Sequence, residues 1–264
     1  MSFVAGRFAA ALFASVVAAG FVQTAAAQAL DDLAERYRPY MIQDIAQALD
    51  GAKLLKARLG ASDLDGAKKE WIAARVGWER AEVFTSGFVA DLDEEIDAWP
   101  NSFTGFHAIE AKLFGAGRMD VGDETDRLIY RLTDLDIKIK HMPLNAQGLL
   151  NGTARLAYEV GESKADGGES RYSGTSLDDM RNNVDGIQLA YDTIFAPPLD
   201  AADAALAAAT KESIAQLREV LIVTELKALD PQTLRAKSEE VVVLLQKAAP
   251  RIGLRAPTLE DLTQ

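Results

Sequence analysis

The chain has 264 residues, a formal net charge of −12, two histidines and no cysteine. The absence of cysteine excludes disulfide bonds, thiol catalysis and lipidation of a cysteine. The acidic balance, without a basic cluster, argues against a nucleic-acid partner and against binding to an anionic membrane surface. It suits a protein that attracts cations, although acidity also serves solubility alone.

The N-terminus has the pattern of a secretory signal peptide. Arg7 supplies a positive charge, residues 8–22 are uncharged and apolar, and the small residues at 25–29 offer cleavage sites. The strongly apolar part is shorter than the ~20 residues that a membrane span needs. We therefore expect residues 1–29 to be removed and the mature chain, residues 30–264, to reach a Gram-negative periplasm.

Helical patterns dominate the mature chain. Leu64, Trp71 and Trp78 recur every seven residues, which is typical of an amphipathic helix in a bundle. These patterns predict an all-α fold of two packed four-helix bundles that divide near residue 145, with a loosely held tail after Pro250. The other predicted helices, separated by glycine and proline, are 30–59, 105–114, 123–141, 146–162, 176–195, 201–228 and 232–248.

Two glutamates on the helix that begins at Leu64 are candidate metal ligands. At ~100° per residue, Glu82 falls inside the apolar stripe of this helix, and Glu79 falls at the margin of the stripe. A carboxylate on a core-facing side costs free energy unless it is paired or bound to a metal. A salt bridge to Arg75, one turn back, is the alternative interpretation, and the pattern alone favours neither.

The acidic segment at residues 91–97 is predicted to be a loop. Such a run is usually solvated, but beside a metal ion it would supply oxygen ligands. Asp97 is placed to fold back towards His107.

His107 and Glu110 form an H-x-x-E pair on the next predicted helix. Residues three apart share a helical face, so an imidazole nitrogen and a carboxylate oxygen can converge on one metal ion. The helical projection aims this pair away from the apolar side of Phe106 and Ile109, at a flank or a cleft. The second E-x-x-H segment of a ferritin-like di-iron site and the H-E-x-x-H segment of a zinc protease are missing. His141, at a predicted helix end, is not expected to be a ligand.

Several segments of the chain, taken in order, carry a resemblance to one known family. These segments are residues 78–82, 91–97, 104–110, 159–160, 168–177 and 183–186. They are similar to the imelysin-like domain of the EfeO/EfeM periplasmic iron-uptake proteins, and the resemblance covers most of the mature chain. It implies an imelysin-like pair of four-helix bundles with a cleft between them, in the short form without the cupredoxin domain of EfeO.

The resemblance also implies the metal site. His107 and Glu110 match the metal-binding H-x-x-E residues of the family. The acidic positions of the family are matched by Glu79, Glu82, Asp93 and Asp97, of which Glu82 and Asp97 are the expected additional ligands. The implied ligand is ferrous or ferric iron, with zinc or copper as substitutes. The implied partners are a membrane iron permease and a periplasmic haem peroxidase.

Other implications of the resemblance concern further residues and further functions. Glu159 and Glu169 are candidates for a second site or for supporting groups, but residues 173–176 lack the histidine and aspartate that the family carries there. One alternative function is an enzyme, a metallopeptidase of the imelysin type, although the chain lacks the general base of the usual zinc peptidases. The other alternative is a binding protein for an acidic, alginate-like polysaccharide.

Overall fold

The computed structural model describes residues 8–97, 104–164, 167–168 and 170–263, with side chains from residue 28 onward. Helices and turns, with no β-strand, make up these ranges, so the predicted all-α class is confirmed. The α-helices are α1 (Phe8–Gly60), α2 (Leu64–Asp97), α3 (Gly105–Glu110), α4 (Gly122–Ile139), α5 (Ala146–Glu162), α6 (Ser176–Ala190), α7 (Ala196–Val220), α8 (Pro231–Ala248) and α9 (Leu259–Leu262).

Helix α2 lies in the middle of the fold. It packs against α1, α3 and α4 on one side and against α5 and α6 on the other, while α8 packs against α5 and α7. The fully buried side chains of Trp71, Trp78 and Phe106 hold α3 against α2, with the rings of Trp71 and Phe106 edge to face at 6.1 Å. The division into two bundles near residue 145 stays a prediction.

Several sequence predictions differ from the observed structure. The acidic residues 91–97 are not a loop but the end of α2, because Leu92 and Ile96, one turn apart, are buried and hold this segment in the core. Helix α7 ends at Val220 rather than at residue 228. The tail after Pro250 is not loosely held, since Leu262 on α9 is buried.

Two glycines let neighbouring helices approach α2 closely. Gly105, at the start of α3, has a φ of +69°, and a Cβ there would lie 1.9 Å from the carbonyl oxygen of Ile96. Gly186, on α6, faces the carbonyl oxygen of Arg80, where a Cβ would lie at 2.4 Å. The first contact seats α3 against the end of α2, and the second seats α6 against its middle.

In the part of the chain that the structure describes, no helix has the combined length and apolarity needed to cross a membrane. Residues 8–29 form the first part of α1, and residues 1–7 lie outside the described ranges. The first buried side chain of the described core is Leu30. Cleavage of a signal peptide stays a prediction.

Candidate metal centre

A sharp bend in α2 assembles the candidate site. The backbone leaves the helical region at Val89, with φ −145° and ψ 39°. After this bend, Asp97 returns to the first part of the helix, where Nε1 of Trp78 donates to Oδ2 of Asp97 at 2.6 Å. The guanidinium of Arg75 donates to Oδ1 of Asp97. One helix therefore supplies carboxylates to a single place from both sides of its bend, Glu79 and Glu82 from before it and Asp97 from after it.

Three of the predicted ligands come together there. One oxygen atom from each of Glu79, Glu82 and Asp97 lies within 4.8 Å of the other two. Glu79 is fully buried, and the side chains of Glu82 and Asp97 are 13% and 6% exposed. Oxygen atoms at this spacing can share one cation, after small side-chain adjustments.

His107 and Glu110 extend the cluster. Nε2 of His107 lies 3.3 Å from Oδ1 of Asp97, and Nδ1 lies 3.2 Å from Oε2 of Glu110. The expected proximity of Asp97 and His107 is confirmed. The expected orientation towards a flank or cleft is wrong, because both His107 and Glu110 are buried, covered by the end of α2 on one side and by Ser173 on the other.

The segment before α6 fixes Glu110. Its Oε1 accepts hydrogen bonds from the backbone N–H of Tyr172 at 3.0 Å, the backbone N–H of Ser173 at 2.8 Å and the hydroxyl of Ser173 at 2.7 Å. Burial acts to raise the pKa of Glu110, but the hydrogen bonds from His107 and Ser173 outweigh it and lower the pKa. Glu110 is therefore a carboxylate at neutral pH, with Oε2 directed at His107.

Two buried cationic side chains neutralise part of the negative charge of the cluster. Arg75 pairs with Glu79 and Asp97, and its Nη2 lies 3.5 Å from Oδ2 of Asp179. The salt bridge of Glu79 to Arg75, which the sequence left open as an alternative, is therefore present. The ammonium of Lys164 lies 3.0 Å from Oε2 of Glu79 and 2.8 Å from Oε2 of Glu82.

Asn183 of α6 also reaches the cluster. Its Nδ2 donates at 2.8 Å to Oε2 of both Glu79 and Glu82, while its buried Oδ1 has no hydrogen-bond partner among the described residues. Burial acts to raise the pKa of Glu79, but Arg75, Lys164 and the hydrogen bonds from Lys164 and Asn183 lower it to about 2. Glu79 is thus held ionised inside the protein.

The remaining candidates lie apart from this cluster or outside the described residues. Glu159 accepts a hydrogen bond from Arg155 at 2.5 Å. His141 is exposed in the turn that follows α4. Glu169 lies outside the described residues, so its role in a second site stays a prediction.

The sequence interpretation missed Asp179, Lys164 and Asn183. Asn183 lies in one of the family-like segments, which was the only signal for it. Nothing in the sequence marks Lys164, an isolated lysine beyond the end of α5.

The site offers imidazole nitrogen and carboxylate oxygen atoms in one buried place. Among the described residues, the carboxylates of Glu79, Glu82, Asp97, Glu110 and Asp179 lie here together with two cations, Arg75 and Lys164. The site thus has more carboxylates than cationic side chains. Such a set is suited to a borderline or hard metal ion.

Comparison with known proteins relates this chain to one protein family and to several of its members. Residues 33–104 and 101–249 match the family model described as Imelysin. An Efem/EfeO family lipoprotein of Staphylococcus haemolyticus is 30% identical over an alignment of 203 residues, and the match covers 73% of this chain and 70% of that protein. The iron uptake system component EfeM of Pseudomonas syringae is 28% identical over an alignment of 195 residues, and the match covers 70% of this chain and 68% of EfeM.

The match to EfeO covers only part of each of the two chains. The iron uptake system component EfeO of Yersinia pseudotuberculosis is 35% identical over an alignment of 162 residues, and the match covers 58% of this chain and 43% of EfeO. Among solved structures, a putative iron-regulated protein A precursor from Parabacteroides distasonis superposes with a TM-score of 0.67. It is 17% identical, the match covers 86% of this chain and 95% of that one, and it supports the shared fold.

Proposed function

Because this chain belongs to the imelysin family and is of the EfeO/EfeM type, we propose that it is a periplasmic component of an iron-uptake system. It would bind ferrous or ferric iron at the cluster around His107 and release it to a membrane permease. Zinc or copper would bind the same atoms in vitro, since their preferred ligands overlap. The permease, the haem peroxidase and a polysaccharide ligand stay predictions.

One observation carries this proposal: an imidazole and several carboxylates converge in a buried place. Nε2 of His107 is 3.3 Å from Oδ1 of Asp97, and Asp97 shares a cluster of oxygen atoms with Glu79 and Glu82. Burying several negative charges together costs free energy unless cations accompany them. A metal ion would supply positive charge in addition to that of Arg75 and Lys164, the two cationic side chains described at the cluster.

Iron transport is favoured over peptidase chemistry by the setting of His107. A zinc peptidase needs an open coordination position and a carboxylate free to act as a general base. Oε1 of Glu110 instead accepts three hydrogen bonds from Tyr172 and Ser173. These bonds fix the carboxylate of Glu110 in place. This arrangement is suited to holding an ion.

Calorimetric titration with Fe²⁺ under anaerobic conditions tests the site. We expect His107→Ala to weaken binding by about tenfold or more, because it removes the one nitrogen ligand of the cluster. The matched control is His141→Ala, which removes the exposed histidine after α4 and is expected to bind as the wild type does. Equal affinities of wild type and His107→Ala would refute the proposed site.

A second experiment tests the proposed compartment. The protein is expressed with its natural N-terminus in a Gram-negative host and recovered from the periplasm. N-terminal sequencing is expected to show a mature chain that begins at residue 30, or at residue 28 if the earlier of the two predicted A-x-A sites is cleaved. Recovery of the uncleaved chain from the cytoplasm would contradict the periplasmic assignment.

A further inference from the structure

Lys164 lies where a bound cation would be expected. It is the second residue beyond the end of α5, and its side chain is 4% exposed. Its Nζ lies 3.0 Å from Oε2 of Glu79 and 2.8 Å from Oε2 of Glu82. A buried ammonium is costly unless carboxylates surround it. Here the carboxylates that surround it belong to the same oxygen cluster that can share a metal ion.

Asn183 provides a second observation at the same place. It is fully buried, and its Nδ2 contacts Oε2 of Glu79 and of Glu82, the two atoms that Lys164 also contacts. Its Oδ1 has no hydrogen-bond partner among the described residues. Rotation of the amide by half a turn would give up the hydrogen bond of 2.9 Å from Nδ2 to the backbone carbonyl oxygen of Glu79. It would exchange nitrogen and oxygen and present an oxygen ligand beside the two glutamates without any movement of the backbone.

Arg75, the other cation of the cluster, is fixed more firmly. It pairs with three carboxylates, those of Glu79, Asp97 and Asp179. Its guanidinium also lies over the rings of Trp71 and Phe106, at 5.7 Å and 5.5 Å from their centroids. Lys164 extends instead from a turn beyond a helix end, on a flexible four-carbon stem. Of the two cations, Lys164 is the one that can withdraw.

We propose that Lys164 is a built-in competitor of the metal ion and sets the affinity of the site. When a metal ion binds, it displaces the ammonium from Glu79 and Glu82, and Asn183 turns its Oδ1 towards the ion. A multiply charged ion gains more from two carboxylates than an ammonium does, so it can replace Lys164, whereas a monovalent ion cannot. This inference rests on the proposed metal-binding function.

The first test compares two lysine substitutions by calorimetry with Fe²⁺ under anaerobic conditions and with Zn²⁺. Lys164→Met keeps the length of the side chain without its charge and is expected to bind metal about tenfold more tightly or better, because no ammonium must leave. The control is Lys140→Met, which removes an equal charge from an exposed lysine paired with Asp136. Its affinity is expected to match that of the wild type.

The outcomes separate this inference from the proposed function. If the wild type binds metal and Lys164→Met binds equally or more weakly, Lys164 is a structural ion pair and the inference fails alone. If neither protein binds metal, the proposed function and the inference fail together. Tighter binding by Lys164→Met but not by Lys140→Met supports both.

The second test uses the unaltered protein and does not depend on the folding of a variant. Lysines are acetylated with acetic anhydride, with and without Zn²⁺, and the rate at each lysine is read by mass spectrometry. Buried Lys164 is expected to react slowly without metal and at least about threefold faster with it, because the displaced amino group becomes accessible to the reagent. Lys140 is expected to react at the same rate in both cases. Unchanged or slower labelling of Lys164 with metal would overturn the inference.

Discussion

The indole Nε1 of Trp78 donates a hydrogen bond of 2.6 Å to Oδ2 of Asp97, although 19 residues separate them on one helix. In a straight helix that separation corresponds to roughly 28 Å at 1.5 Å per residue. The bend at Val89 closes this distance. The candidate metal centre therefore depends on a tertiary contact within α2 as much as on the identity of its ligands.

A tryptophan pair on α2 tests whether that contact positions Asp97. We expect Trp78→Phe to weaken metal binding by about tenfold, because an outer partner that orients a ligand has effects of this size. The control is Trp71→Phe, which removes an equally buried indole whose Nε1 donates to the carbonyl oxygen of Phe106 at 3.1 Å. Both variants lose stability, as measured by urea unfolding, but only Trp78→Phe is expected to lose affinity by calorimetry.

The closeness of α3 to the end of α2 gives a second prediction. Gly105→Ala is expected to lower the free energy of unfolding by about 3 kcal/mol or more, since it combines an unfavourable positive φ with a clash against the carbonyl of Ile96. Gly117 has a similar φ of +63° but open space around it, so Gly117→Ala isolates the conformational cost of about 1–2 kcal/mol. Equal losses in the free energy of unfolding of the two variants would mean that α3 can move away from the carbonyl of Ile96 on α2 without cost.

The sequence predicted those parts of the site that single helices determine. Glu79 and Glu82 share a face of α2, and His107 and Glu110 share a face of α3, because helical geometry fixes residues three apart. Burial of the histidine was not predictable, since Ser173, from a distant segment, contributes to the cover.

The groups contributed by α5 and α6 lay beyond sequence reasoning for the same reason. Lys164 and Asn183 meet Glu79 across separations of 85 and 104 residues. Contacts of this kind depend on how helices pack, which periodicity within a helix does not encode. The prediction of a loop for the acidic residues 91–97 was wrong for a related reason. It rested on their charge, whereas the burial of Leu92 and Ile96 stabilises this segment as a helix.

The C-terminal tail offers a third prediction, because Asp261 ties it to the rest of the fold. Its carboxylate accepts hydrogen bonds from Asn151 on α5 at 2.7 Å, from Arg255 at 2.7 Å and from the backbone N–H of Thr258 at 2.7 Å. We expect Asp261→Ala to accelerate amide hydrogen exchange in residues 254–262 and to lower the Tm by about 2 °C or more. The neighbouring Glu260→Ala, at an exposed position, is expected to leave both unchanged. Unaltered exchange in Asp261→Ala would show that the hydrogen bonds of this carboxylate do not hold the tail.

The ionisation of Glu79 predicts how stability depends on pH. Its pKa is lowered from 4.5 to about 2 in the folded protein, so it contributes stability that is present above about pH 4.5 and is lost as the pH falls towards about 2. At neutral pH, Glu79→Gln should lower the free energy of unfolding of the metal-free protein by about 3–5 kcal/mol, because Arg75 and Lys164 lose a buried partner. Between about pH 4.5 and about 2 the difference between wild type and variant should shrink.

Urea unfolding of the metal-free protein across this pH range measures that difference. The control is Glu239→Gln, which neutralises an exposed glutamate on α8 and should differ little from the wild type at any pH. Since a carboxylate that is already protonated contributes no ion pair, the Glu79→Gln curve should approach the wild-type curve only at the acidic end. A gap that stays constant or widens towards acid would mean that the ion pairs of Glu79 with Arg75 and Lys164 do not stabilise the fold.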